Sequence, residues 1–127
     1  ILPKTPFNKL PEFLSVADIV AIPQRRTSDS VGQIPARLFD AMCMAKPILA
    51  TRVSDIPEVL GDCGYLVEPN EPLKLADAVE YILSHFDEAQ NKGRAARERC
   101  KQKYDMHNLE SGLSELIEQV LEKKVKQ

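Results

Sequence analysis

The residue patterns that usually announce a metal centre, a nucleophilic triad or a phosphate loop are missing from this sequence. Its three cysteines, Cys43, Cys63 and Cys100, are odd in number and widely spaced, with no Cys-x-x-Cys pair. Only His85 and His107 could join them, whereas a structural zinc site wants four ligands at short paired spacings. No metal is therefore expected, and packed, reduced thiols suit a reducing cytosol. No Ser-His-Asp or Cys-His arrangement can be assembled from spacing, and there is no phosphate-loop glycine motif. No apolar run approaches the ~18–20 residues that cross a bilayer, and no signal peptide is visible. A net charge of −2 lacks the basic excess of a nucleic-acid binder. The chain opens at Ile1 rather than at methionine, which is what a piece of a longer protein would show.

What is present describes a globular domain. Of the 127 residues, 43% are hydrophobic and 28% charged. That length suits one domain with a core that needs neither disulfides nor a metal. There is no internal repeat and no low-complexity segment.

Asn8 can cap a short helix from about Lys9 to Val16, with Pro11 near its first turn. Ile19-Val20-Ala21-Ile22 is an unalternating apolar run closed by Pro23, the signature of a strand covered on both faces. A polar loop, residues 24–34, follows. Ile34, Leu38, Ala41, Met42 and Ala45 then repeat with helical spacing, predicting a helix over 35–45. Pro47 to Thr51 reads as a second strand, Ile56 to Leu60 as one helical turn, and Tyr65-Leu66-Val67 as a third strand. The portion from about 71 to 127 is helical. Its first helix is capped by Asn70, and the next spans about 88–104 with Ala89, Gly93, Ala96 and Cys100 as small buried candidates. The last starts near Asn108, with an apolar face of Leu109, Leu113, Leu116, Ile117, Val120 and Leu121, and a lysine-rich tail follows. Strands alternating with helices predict an α/β fold with a parallel sheet. Three strands are few for a covered sheet, so residues 1–127 are expected to be a single partial domain with strands missing upstream and an exposed edge.

The chemistry is expected in the loop after the first strand and in the helix it feeds. Ligands in open α/β sheets bind beyond the carboxyl ends of the strands, and this loop exceeds the usual two to six residues. A helix opening at Pro35 offers unpaired N–H groups and a positive dipole end to an anion. Gly32 allows close backbone approach, and Arg25, Arg26, Ser28 and Ser30 are further donors. Asp40, off the apolar stripe, could accept hydrogen bonds from two ribose hydroxyls. It could equally form an ordinary i, i+3 surface ion pair with Arg37.

Four fragments point further. Asp40-Ala41-Met42, Ala45-Lys46-Pro47, Ile56-Pro57-Glu58-Val59 and Gly64-Tyr65-Leu66-Val67-Glu68-Pro69 occur in order and in register. Over roughly residues 8–121 the chain resembles the nucleotide-sugar-binding half of group 1 (family 4) retaining glycosyltransferases of the GT-B fold. The resemblance implies a partial Rossmann-like domain, the C-terminal half of a GT-B domain, binding a nucleotide diphosphate sugar. The full-length enzyme would transfer the sugar with retention to a glycan, lipid or small-molecule acceptor held by a missing N-terminal domain. The donor is a substrate, and neither cofactor nor metal is implied. Asp40 falls where the family holds the ribose hydroxyls with a glutamate. Gly32, Gln33, Ile34, Pro35, Ala36 and Arg37 fall where backbone amides meet the diphosphate. The family's first acidic residue, eight positions before Asp40, is replaced by Gly32, and its small residue before Lys46-Pro47, usually glycine, is Ala45. The family's upstream basic residues are absent, so the catalytic residues are unassigned and the isolated chain is expected to be inactive.

Two weaker features complete the reading. Asp55 and Glu58 are read as stabilising a local turn or standing exposed, with a ligand contact as the alternative for Glu58. Lys92, Arg94, Arg97, Arg99, Lys101 and Lys103 stand against the single acid Glu98 between 92 and 103. They read as a solvated face or as a peripheral contact with an anionic membrane. The rivals to a cytoplasmic glycosyltransferase are a non-catalytic nucleotide-sugar or partner-binding module, and an unrelated small doubly wound domain. The last predicts a complete sheet within the chain.

Overall fold

A computed structural model describes residues 6–125. The ends of the expected 1–127 unit, including the last of the lysine-rich tail, lie outside the described residues. After a 3₁₀ turn at Phe7–Lys9 the order is α1 (Leu10–Ser15), β1 (Val20–Ile22), α2 (Ala36–Cys43), β2 (Ile48–Thr51), α3 (Ile56–Leu60), β3 (Tyr65–Val67), α4 (Pro72–Ser84), α5 (Phe86–Lys103) and α6 (Met106–Val125). The three strands are parallel, in the order β1-β2-β3, with Val20 beside Ile48 and Leu49 beside Tyr65. The fold is thus α/β, with three parallel strands in one open sheet flanked by helices. Among the described residues the sheet has these three strands, with β1 and β3 at its edges.

Alternation along the strands divides the core between two faces. Val20, Ile22, Ile48 and Ala50 join Leu14, Leu38, Met42, Ile56, Leu60, Ala96 and Cys100 on one side. Leu49 meets Ile82 and Ala89 on the other, with Tyr65, Val67, Leu75 and Val79 around them. Ala21, on this second face of β1, is exposed. Tyr65 and Tyr81 donate to the two carboxylate oxygens of Glu88 at 3.0 and 3.1 Å, tying β3, α4 and α5 together. Burial and then the Glu88 hydrogen bond push the Tyr65 phenol up to about 12.

The end of α2 is a Schellman turn. Lys46 N–H donates to Ala41 O at 3.1 Å and Ala45 N–H to Met42 O at 3.0 Å, while Ala45 takes a φ of +54°. A left-handed alanine costs about 1–2 kcal/mol where glycine would not. The turn lies against α5. A Cβ added at Gly93 would sit 2.3 Å from Ala45 O, so only glycine lets the two backbones approach this closely. That contact fixes the helix carrying Asp40. Opposite it, Arg99 Nε and Nη2 donate to Val59 O (2.8 Å) and Glu58 O (2.7 Å), satisfying carbonyls at the end of α3.

Several local expectations are corrected. Neither Asn8 nor Asn70 caps a helix. The residues preceding α1 and α4 are Lys9 and Glu71, without side-chain caps, and Asn70 instead adopts a φ of +64° in the turn. Asp55 stands at the N-cap of α3 but makes no capping hydrogen bond. The helices also shift at their ends: α2 stops at Cys43, and α6 begins at Met106. The apolar face expected on α6 exists, but no residue of α6 is buried, and Leu109, Leu113 and Ile117 are half exposed.

Candidate functional site

A cavity of about 580 Å³ opens beyond the carboxyl end of β1. Ile22, Pro23 and Gln24 form one wall and Pro35, Ala36, Arg37 and Asp40 another, with Phe7 and Leu10 closing a side. The strand delivers the first group because Pro23 ends its pairing run. The second is the first turn and a half of α2, whose buried stripe of Leu38, Ala41 and Met42 turns Arg37 and Asp40 the other way. Pro35 occupies the N-cap of α2 and provides no side-chain cap, and Leu38 N–H bonds Pro35 O at 2.9 Å. The remaining first-turn amides form the positive end of the helix dipole and have no capping side chain.

Asp40 is half-buried. Among the described residues the ion pairs are Arg52–Glu68, Lys74–Glu71 and Lys101–Glu98, so Arg37 and Asp40 do not pair across their helical turn. The surface-pair reading of these residues thus has no counterpart in the structure. Both charges border the cavity, one a pure acceptor and the other a fork of donors.

The expected residues are brought together only in part. Pro35, Ala36, Arg37 and Asp40 line the cavity, whereas Gly32, Gln33 and Ile34 stand outside its wall on the preceding loop. Gly32 is exposed, with open space where a Cβ would be. Ser30, expected as a ligand donor, is instead the loop's internal brace. Its hydroxyl donates to Arg25 O at 2.6 Å and accepts from Thr27 N–H at 2.8 Å. Arg26 is also engaged, donating to Arg52 O at 2.9 Å. Of the basic residues on α5, Arg99 holds α3, Lys92 donates to Asp62 O at 2.8 Å, Arg94 to Asn91 and Lys101 to Glu98. The solvated-face reading fits α5 only in part.

Sequence reasoning missed Gln24. Its Oε1 is buried without a hydrogen-bond partner among the described residues, an uncommon state for a polar atom. Gln24 borders both the main cavity and a neighbouring one of about 440 Å³ that reaches Thr51, Val67 and Glu68 at the ends of β2 and β3. Its position just after the strand-ending Pro23 was the available signal. Among the described residues no cluster could hold a metal ion, and no helix is long and apolar enough to cross a membrane.

Known proteins resemble the chain in sequence and in fold. Residues 2–85 match the family described as glycosyl transferases group 1. N-acetyl-alpha-D-glucosaminyl L-malate synthase of Bacillus anthracis is 28% identical over 116 residues, covering 90% of this chain and 29% of that protein. The chain spans less than a third of the curated relatives it matches. Among solved structures, sucrose-phosphate synthase of Thermosynechococcus elongatus superposes with a TM-score of 0.74 at 21% identity, over 87% of this chain and 27% of the other. Anabaena HepE, solved in complex with UDP, gives 0.70 at 19% identity, over 87% and 30%.

Proposed function

The chain belongs to the group 1 glycosyltransferases, and from that premise we propose that it forms part of the donor site of an enzyme transferring a sugar from a nucleotide diphosphate sugar. The observation that carries this reading is the Asp40 carboxylate, which makes no ion pair among the described residues, beside the uncapped start of α2 at the carboxyl end of the sheet. Asp40 accepts from the ribose hydroxyls. The first-turn amides and the Arg37 guanidinium meet the diphosphate, and the loop of Gly32, Gln33 and Ile34 closes over it. Gln24 offers its unpartnered oxygen to a donor group of the ligand.

These groups bind and polarise the leaving group. A departing nucleoside diphosphate gathers negative charge as the glycosidic bond breaks, and fixed dipoles and a cation aimed at it lower the barrier. The reaction proceeds with retention and needs no metal from this chain. The acceptor, a glycan or lipid-linked molecule, is held by a further domain, so the isolated chain is inactive. The full-length protein works in the cytoplasm. Arg97 and Lys103, the α5 cations with no intramolecular bond described above, are the candidates for a peripheral contact with an anionic membrane.

The test is sugar transfer by the full-length protein and its Asp40→Ala and Arg37→Ala variants across UDP-, GDP- and ADP-sugars. Transfer that falls at least tenfold in both variants supports the donor site. Undiminished transfer in both would remove these residues from it. Donor binding without transfer by the full-length protein would favour a non-catalytic nucleotide-sugar module.

A further inference from the structure

The cysteines that stand far apart in the sequence do not stay apart in the fold. Cys43 occupies the last position of α2 and is exposed, whereas Cys100 lies on α5 and is buried. Their sulfurs are 3.5 Å apart. The two helices are held in register by the Gly93–Ala45 approach, where no Cβ can intervene, so the thiols meet across a rigid junction. A disulfide needs the sulfurs to close to about 2.05 Å, a shift of the order that side-chain torsions supply. Cys63, on the turn before β3, makes no sulfur contact among the described residues.

We propose that Cys43 and Cys100 are a site of reversible oxidation, forming an intramolecular disulfide that ties α2 to α5. The co-reactant is a small-molecule disulfide of the glutathione class. The Cys43 thiolate attacks one sulfur of the oxidised co-reactant and displaces one glutathione thiolate, which takes up a proton. Cys100 then loses its proton and attacks the Cys43 sulfur of the mixed disulfide, expelling the second glutathione. Two protein thiols become one disulfide while one glutathione disulfide becomes two thiols, so two electrons and two protons leave the protein. The order follows from access, since only Cys43 is exposed. Burial, followed by its contact with Cys43, pushes the Cys100 thiol up to about 11, which keeps it protonated until the mixed disulfide forms beside it. Cys43 and Asp40 also border a common cavity of about 350 Å³, through which the co-reactant reaches the exposed sulfur. The cross-link is independent of the proposed donor site and stands or falls without it.

The experiment equilibrates the whole chain in glutathione buffers from fully reduced to fully oxidised, blocks free thiols with N-ethylmaleimide, and reads intact mass and a tryptic map. The expected result is a fall from three maleimides per chain to one, carried by Cys63, with a peptide linking Cys43 to Cys100. Dithiothreitol restores all three. Cys43→Ser, at an exposed position, folds normally by far-ultraviolet circular dichroism and loses the linked peptide. Three maleimides at every poise would overturn the proposal. So would a glutathione adduct that stays on Cys43 while Cys100 is alkylated, a link to Cys63, or covalent dimers in place of the intramolecular bond.

Discussion

Replacing Gly93 by alanine should destabilise the protein, although the same change in most helices stabilises it. Alanine exceeds glycine in helix propensity by about 1 kcal/mol. At Gly93 the new methyl would stand 2.3 Å from Ala45 O and 2.9 Å from the carbonyl carbons of Ala45 and Lys46. Ordinary carbon contacts lie near 3.5–4.0 Å, so α5 and the α2 turn must part by roughly 1 Å. The obstruction is backbone and cannot rotate aside, which places the cost at the upper end of the ~1–3 kcal/mol typical of overpacking. The net loss is about 1–2 kcal/mol, or roughly 3–10 °C in Tm for a domain of this size. Gly112, within α6, is the internal control. A Cβ there meets nothing within 4 Å, so Gly112→Ala carries only the propensity gain. Thermal and urea unfolding should therefore show a clear loss for Gly93→Ala and none for Gly112→Ala. A Gly93→Ala protein as stable as the parent would mean that α2 and α5 do not meet as described.

Four other outcomes follow from the same packing. Ala45→Gly relieves the left-handed alanine and should raise stability by about 0.5–1 kcal/mol, read as a higher urea midpoint; a lower midpoint would contradict the turn. Arg99→Ala leaves the carbonyls of Glu58 and Val59 without their donor. It should cost about 1–3 kcal/mol, and Arg99→Lys, lacking the fork, should recover only part. Truncation before Met106 removes a helix with no buried residue and should move Tm by no more than about 2 °C, since such helices add little unless packed; a large drop would show that α6 supports the body. The raised Tyr65 pKa gives an alkaline limb. An acid whose folded value lies near 12 against an unfolded value near 10 contributes stability that is intact below pH 10 and lost as pH rises toward 12. Tyr65→Phe should flatten that limb in Tm measured against pH.

The strands were legible because each is a short apolar run punctuated by proline or glycine, and all three form within a residue of the expected ends. The small residues Ala89, Gly93, Ala96 and Cys100 were read as buried from their spacing, and all four are. Spacing could not show which partner they admit. That Gly93 takes the Ala45 carbonyl and Cys100 the Cys43 thiol depends on two segments about 50 residues apart in the chain. Caps failed for a local reason: asparagine also tolerates left-handed backbone, and Asn70 is used that way. The apolar stripe of α6 was correct as a pattern, but periodicity identifies a face without supplying something to cover it. At the candidate site, the register of Asp40 followed from the helix stripe. Gln24 did not, because an orphaned side-chain oxygen is a property of three-dimensional surroundings.

The measurement nearest the central claim is an amide-resolved NMR titration of this chain with UDP, GDP and ADP. The donor-site account predicts saturable shifts in the amides of residues 32–40 for at least one nucleotide. It also predicts that Asp40→Ala weakens that binding about tenfold or more, the worth of a hydrogen bond to a charged group, while leaving Tm within about 2 °C because Asp40 makes no ion pair within the described residues. Amides that stay unmoved by all three nucleotides up to millimolar concentration, or an Asp40→Ala variant that binds as the parent does, would contradict it.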